Sequence, residues 1–296
     1  MTLSFRHFLL ALAVVAIWGS NFVVIRWGLN AFPPLLFAAL RFTLATVPAI
    51  FLLPRPKVSL YNLAAYGGLV GVAQFSLLYL AMGSQISPGL ASLVIQTQVF
   101  FTLFLAMHTS GERVQPFQWL ALVLAAGGIG IIASHTDGTT TVLGLAMVLL
   151  AALSWASGNV VGKKAVGVNM LAYVVWSSAF AAPALFALSF LIEGPQRMSD
   201  AVSHASLGAW GAVIWQAAAN TLFGYGAWSF LLSRHPAATV VPMALLVPIF
   251  GMSCSALLLN ESLPAWKLMA AGLVMSGLAI NLLWPRARQA WRLRSA

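Results

Sequence analysis

AIWGSNFVV (Ala16–Val24) and LSWASGNVV (Leu153–Val161) lie inside two long apolar stretches, one near the start of each half of the chain. Each holds a Trp, a Ser two residues later, and an Asn one or two residues after that. Trp18 and Trp155 are 137 residues apart in a chain of 296. Amides inside an apolar run are costly unless they face protein or water. A polar pattern used once in each half therefore asks for one explanation that covers both.

The surrounding composition supplies the solvent. Apolar residues make up 61% of the chain and charged residues 7%, against about 25% charged in soluble domains. Mean hydropathy is +0.92. So few charges cannot cover a water-facing surface, and the chain is expected to sit in lipid. The single cysteine, Cys254, excludes an intrachain disulfide. The net charge of +10 is not gathered into a soluble basic segment. Its densest group, Arg286, Arg288, Arg292 and Arg294, follows the last apolar run, where anionic headgroups would meet it. No nucleic-acid partner is expected. Arg6 and His7 precede an apolar run too long for a signal peptide's core and without a small-residue cleavage site. That run reads as a retained first helix.

A membrane-spanning helix takes about 20 mostly apolar residues. Breaks at Pro, Gly and charge clusters delimit ten such spans, at 7–26, 34–53, 61–83, 88–107, 117–134, 142–163, 169–191, 207–232, 237–259 and 264–284. The longest connection, from Glu193 to Ser206, reads as little beyond a turn. On the side of the N-terminus fall Arg6, Arg55, Lys57, Arg113, Lys163, Lys164, Arg234 and the four arginines of the tail. The other side receives only Arg26, Arg41, Arg197 and Lys267. Lys and Arg favour the cytoplasmic side, so both termini are expected there, as an even number of spans requires.

With the two tryptophans superposed, Ser20 meets Ser157 and Arg26 meets Lys163. SPGLASLV around Pro88 parallels HPAATVVP around Pro236, and Pro48 has a near counterpart in Pro183. Glu112 and Glu261 each open a span and are each followed 16 residues later by a glycine, Gly128 and Gly277. The expected fold is an all-α integral membrane protein of two five-helix units, 1–137 and 138–296. Five is odd, so the second unit is inserted upside down. Inverted repeats are a transporter architecture, with the substrate near the midplane where the copies meet.

Trp18 with Asn21, and Trp155 with Asn159, share a helix face. Each pair is read as one wall of a central cavity, with helix–helix hydrogen bonding by Ser and Asn as the other reading. Gln74, Tyr79, Gln96, Gln98, Asn220, Tyr225 and Trp228 complete the expected substrate-binding set, and Gln216 shares a face with Asn220. Gln96 and Gln98 stand about 200° apart on a helix, so one is expected to line the cavity and the other to bond a neighbouring helix. Pro48, Pro183, Pro242 and Pro248 are candidate hinges or static kinks. The acids Glu112, Asp137, Glu193, Asp200 and Glu261, and all five histidines, fall at span ends or in loops. No proton relay of the usual intramembrane kind is visible, which favours uncoupled, gradient-driven movement. Metal-ligand spacing, phosphate loops and a hydrolytic triad are also absent from the sequence pattern. No enzyme activity, cofactor or metal is expected.

VVAIWGSNFVVIRWGLNAFPPLLFAALRF, AQFSLLYLAM, PGLASLVIQTQVFFTLFLA, GERVQPFQWLA and ALSWASGNVVGKKA resemble the EamA family of the drug/metabolite transporter superfamily. The similarity runs through both halves. It is strongest toward bacterial exporters of cysteine and O-acetylserine, with exporters of threonine and homoserine or of aromatic amino acids as relatives. The resemblance implies a bacterial inner-membrane exporter working by alternating access on small molecules. Carriers of another class, for nucleotide sugars or drugs, and a non-transporting scaffold or sensor are the alternatives. A sugar-phosphate cargo should require basic residues in the cavity.

Overall fold

The computed structural model describes residues 3–110, 115–136, 139–165 and 167–294, with only the backbone described for 109, 110, 238 and 286–294. Glu112, Arg113, Asp137, the 137/138 boundary and the side chains of the C-terminal arginines lie outside the described residues. Among the described residues the elements are helical and no strand forms. In chain order they are α1 (Phe5–Leu29), α2 (Pro34–Ile50), α3 (Leu60–Ser84), α4 (Pro88–His108), α5 (Pro116–Ser134), α6 (Val142–Gly162), α7 (Met170–Ile192), α8 (Pro195–His204), α9 (207–234), α10 (237–259) and α11 (Ala265–Arg294). Among the described residues, eight helices are long and apolar enough to cross a membrane, and α2, at 17 residues, is a shorter apolar helix. The protein is an all-α, multi-pass membrane protein. Leu191, Leu207 and Leu257 are among the large apolar side chains left on its outer surface, where lipid replaces water as the solvent.

The helices begin where a side chain can accept the first free N–H groups. Ser4, Ser59, Thr141, Asn169 and Ser206 each cap their own helix in this way. α2 and α4 instead start on a proline and are capped from elsewhere in the fold. The Glu193 carboxylate, at the end of α7, accepts from the Leu35 and Leu36 N–H groups at 2.7 and 3.0 Å and from the Ser189 hydroxyl at 2.6 Å. Glu261 accepts from Gly89 N–H at 2.9 Å, from the Ser87 hydroxyl and from Lys267 Nζ at 3.0 Å. Negative charge at a helix N-terminus is favourable, and both carboxylates tie together helices distant in sequence.

The expectation of a bare turn between Glu193 and Ser206 is corrected, because Pro195–His204 is a helix. Gly194 takes φ +85°, which reverses the chain. Met198 and Ala201, three apart, then pack against the core from one face of α8.

Four long helices change pitch part-way. α3 is α-helical to Tyr66, π-helical over Gly67–Gln74 and α-helical again from Phe75. α9 does the same, with its π segment at Gln216–Phe223. α10 runs through a 3₁₀ segment, Val241–Leu246, before Val247–Leu259. Pro242 and Pro248 stand at the starts of these last two pieces, while Pro48 and Pro183 lie inside α2 and α7. α4 tightens likewise at Ile95–Thr97.

Packing is mostly pairwise. α2 lies along α7, α5 along α11, α1 along α10 and α4 along α6. Glycines set the closest approaches. Gly19 of α1 faces the Val247 carbonyl and Gly251 of α10, and Gly128 of α5 faces the Ala270 carbonyl of α11. Such contacts draw on close van der Waals packing, the main attraction between helices in lipid.

Candidate functional site

α1, α3, α4, α6, α9 and α10 enclose a cavity of about 370 Å³. Ten of the eleven residues expected at a substrate site line it: Trp18, Asn21, Gln74, Gln96, Gln98, Trp155, Asn159, Asn220, Tyr225 and Trp228. The helix period explains the grouping, since Trp18, Asn21, Phe22 and Ile25 recur every three or four residues on one face of α1. Met170, the exposed first residue of α7, brings the cavity to the surface on the side where α1 begins. At the other end of α1 the helices close. Phe32 stacks on Phe37 and meets Trp210 edge-on, and Arg26 donates to the Met82 and Gly83 carbonyls at 3.0 and 2.6 Å.

One wall is aromatic. The Trp18 indole N–H donates to the Asn220 carbonyl at 3.1 Å, inside the π segment of α9. Its ring centroid lies 5.1 Å from Trp228 and 5.6 Å from Tyr225. Gly224 lets the indole this close, because a Cβ there would overlap it. α4 and α6 meet on the cavity wall through an amide pair, in which Asn159 Nδ2 donates to Gln98 Oε1 at 2.9 Å. Asn21 Oδ1 and Gln74 Oε1 are buried acceptors with no partner among the described residues.

Gln96 and Gln98 both line the cavity, which corrects the expectation that only one does. The cavity reaches both flanks of α4, so side chains on nearly opposite faces still border it. Gln98 faces α6 through Asn159. Gln96 Nε2 approaches the Ala244 carbonyl of α10 at 3.5 Å. Pro248, four residues on, has no N–H to give that carbonyl.

Tyr79 is the residue that stays apart. Gln74, Phe75 and Leu78 share the cavity face of α3, and Tyr79 is turned about 100° from Leu78. It is fully buried, and its hydroxyl accepts from Arg41 Nη1 at 3.1 Å and donates to Gln216 Oε1 at 3.3 Å. Gln216 therefore belongs with this buried network and does not line the cavity with Asn220.

Arg41 is the functional candidate missed by sequence reasoning. The charge pattern of the sequence puts it at a span flank, yet it is 1% exposed and two turns inside α2. The spans are thus not free of charge. Arg41 Nη2 donates to Thr221 Oγ1 at 3.0 Å, and the guanidinium lies 4.5 and 4.3 Å from the ring centroids of Phe42 and Phe75. Lys163 and Lys164 are exposed at the end of α6 and do not reach the cavity.

Comparison with known proteins follows this geometry. The sequence model of the EamA-like transporter family matches residues 6–134 and 142–283. The chain belongs to the EamA-like transporter family. This EamA-like protein is 38% identical over 292 residues to a probable amino-acid metabolite efflux pump of Escherichia coli K12, covering 97% of this chain and 98% of that one. A protein of the same description from Salmonella typhimurium LT2 is 38% identical over 290 residues, covering 96% and 97%. A solved crystal structure shares the fold at a TM-score of 0.64 and 19% identity, over 95% of this chain and 98% of that one. The EamA resemblance seen in the sequence is thus a membership.

Proposed function

We propose that the protein exports amino acids or close derivatives across a bacterial inner membrane by alternating access, with the 370 Å³ cavity as the binding site. The cavity lining carries this reading. An aromatic wall suits apolar side chains, and the amide side chains on the cavity wall supply neutral hydrogen bonds. The efflux-pump description of the 38% identical relatives points to the same class. With no Lys or Arg on its wall, the cavity is a poor receptor for sugar phosphates.

In this proposal the chain is ten spans in two inverted five-helix units, with both termini cytoplasmic. The family matches divide near the expected boundary. Helices equivalent under the repeat share their irregularities: π segments in α3 and α9, 3₁₀ segments in α4 and α10. Their packing is reciprocal too, since α1 on α10 corresponds to α6 on α4. In this proposal the cavity opens at the face where α7 starts, since Met170 there is exposed and lines it, and that face is the cytoplasmic one in this topology. Broken helices at the site are the elements that rock or unwind in such carriers, and Pro242 and Pro248 are the hinge candidates closest to it.

Transport is uncoupled in this reading. Glu193 and Glu261 are committed to helix N-termini and Asp200 lies on the surface. The test is uptake of a radiolabelled amino-acid panel into liposomes carrying the purified protein, with and without a proton gradient. Flux of several amino acids, unchanged by the gradient, is expected. Acceleration by the gradient overturns the uncoupled reading, and absence of amino-acid flux overturns the cargo class.

A further inference from the structure

Arg41 is a permanent cation, buried inside a membrane-spanning protein with no acid paired to it among the described residues. Its polar partners are two hydroxyls, of Tyr79 and Thr221, and its Nε–H has no partner among the described residues. The one ion pair among those residues is Lys267 with Glu261, and Glu193 is taken up at the start of α2. A guanidinium keeps its proton, so it cannot escape the cost of burial by neutralising. Arginine serves well as a cavity-side receptor because its planar donor fork matches a carboxylate with two parallel hydrogen bonds. Charged groups held at membrane depth characteristically mark substrate pathways.

The placement links this cation to the site. Arg41 lines a second, small cavity of about 20 Å³, enough for about one water molecule. Tyr66, Phe75 and Tyr225 border both this cavity and the large one. Arg41 therefore stands behind a wall one aromatic side chain thick, and Phe75 of that wall is one of the two rings, with Phe42, that lie over the guanidinium. The amides on the wall of the large cavity offer acceptors to an ammonium group, but that cavity holds no positive charge for the other end of an amino acid.

We propose that Arg41 is the carboxylate receptor of the transport site, reached when the Phe75 ring swings aside. The carboxylate then takes the Nε–H and competes with Tyr79 and Thr221 for the other donors. Thr221 belongs to the π segment of α9, so binding loosens the tie between α2 and that segment. This inference deepens the amino-acid reading and rests on it for the identity of the cargo.

The experiment uses full-length protein in liposomes and compares three labelled probes: the amino acid moved fastest, its carboxamide, and the matching carboxylic acid without the amino group. Wild type is expected to favour the amino acid over its amide by about tenfold or more in kcat/KM. Arg41→Gln is expected to lose that preference while still moving the amide, which also shows it to be folded. Arg41→Lys restores part of the preference. Should Arg41→Gln not fold, Phe75→Ala replaces it, with an expected fall in KM for the amino acid and not for the amide. Equal transport of acid and amide by wild type, an undiminished preference in Arg41→Gln, or equal effects of Phe75→Ala on both probes overturns the proposal. Arg41-dependent flux of the amino-free acid alone keeps Arg41 as the receptor and overturns the amino-acid reading. Flux of none of the three overturns both.

Discussion

Trp18→Ala lowers the initial rate of amino-acid flux about tenfold or more in proteoliposomes, measured per unit of folded protein. Three contacts go at once. The Asn220 carbonyl loses its donor at 3.1 Å, in a π segment whose backbone bonding is already irregular. Tyr225 and Trp228 lose the ring between them and α1, an interaction of about 0.5–1.5 kcal/mol per aromatic pair beyond area burial. The cavity widens by most of an indole at the point where the apolar part of a cargo would pack. Trp18→Phe separates the contributions in part, because it keeps an aromatic ring on this wall while removing the N–H and some of the indole's bulk. Its flux is expected between the two. A Trp18→Ala protein with wild-type flux means that this wall does not touch the cargo.

Gly19→Leu abolishes the folded protein. A Cβ at Gly19 would lie 2.6 Å from the Val247 carbonyl oxygen and 3.0 Å from Gly251 N. Overpacking costs about 1–3 kcal/mol where side chains can shift. Here the obstacles include backbone, so α1 must separate from α10 along its length. Gly251 cannot retreat, since it sits against Ser92 of α4. The monodisperse fraction on size-exclusion chromatography in detergent reads the outcome. Gly130→Leu is the control, because nothing lies within 4 Å of a Cβ there, and it is expected to give native yield. Equal yields from the two variants contradict the crossing as described.

How much of this was legible follows from what periodicity can carry. Repeats of three and four residues place side chains on one face, and α1 shows this from Trp18 to Ile25. The same arithmetic leaves Tyr79 at the edge, about 100° from Leu78 but only about 40° from Phe75, so its place in the Arg41 network had to come from the fold. The signal for Arg41 is its position inside the expected 34–53 span, which a count of charges by side does not use. The π and 3₁₀ segments carry no comparable spacing, apart from the two prolines of α10. Partners 100 or more residues apart leave no local trace. Glu193 caps α2 across a sequence separation of 158 residues to Leu35, and its own surroundings show only an acid at a span end. Likewise Pro195 and the spacing of Met198 and Ala201 could have suggested α8, but ten residues of mixed polarity between long apolar runs read as a connection.

Asn159 is positioned to test the cavity itself. It lines the cavity with Gln98 as its partner and is only partly buried. With Cys254, the one native thiol, replaced by Ser, Asn159→Cys becomes the sole target for a membrane-impermeant maleimide. If this cavity is the transport site, modification from the open side stops flux, and the amino acid that the protein moves fastest slows the modification. Complete labelling of Cys-substituted Asn159 with flux intact and no protection by any transported amino acid would contradict it, and the path through the protein would have to lie elsewhere.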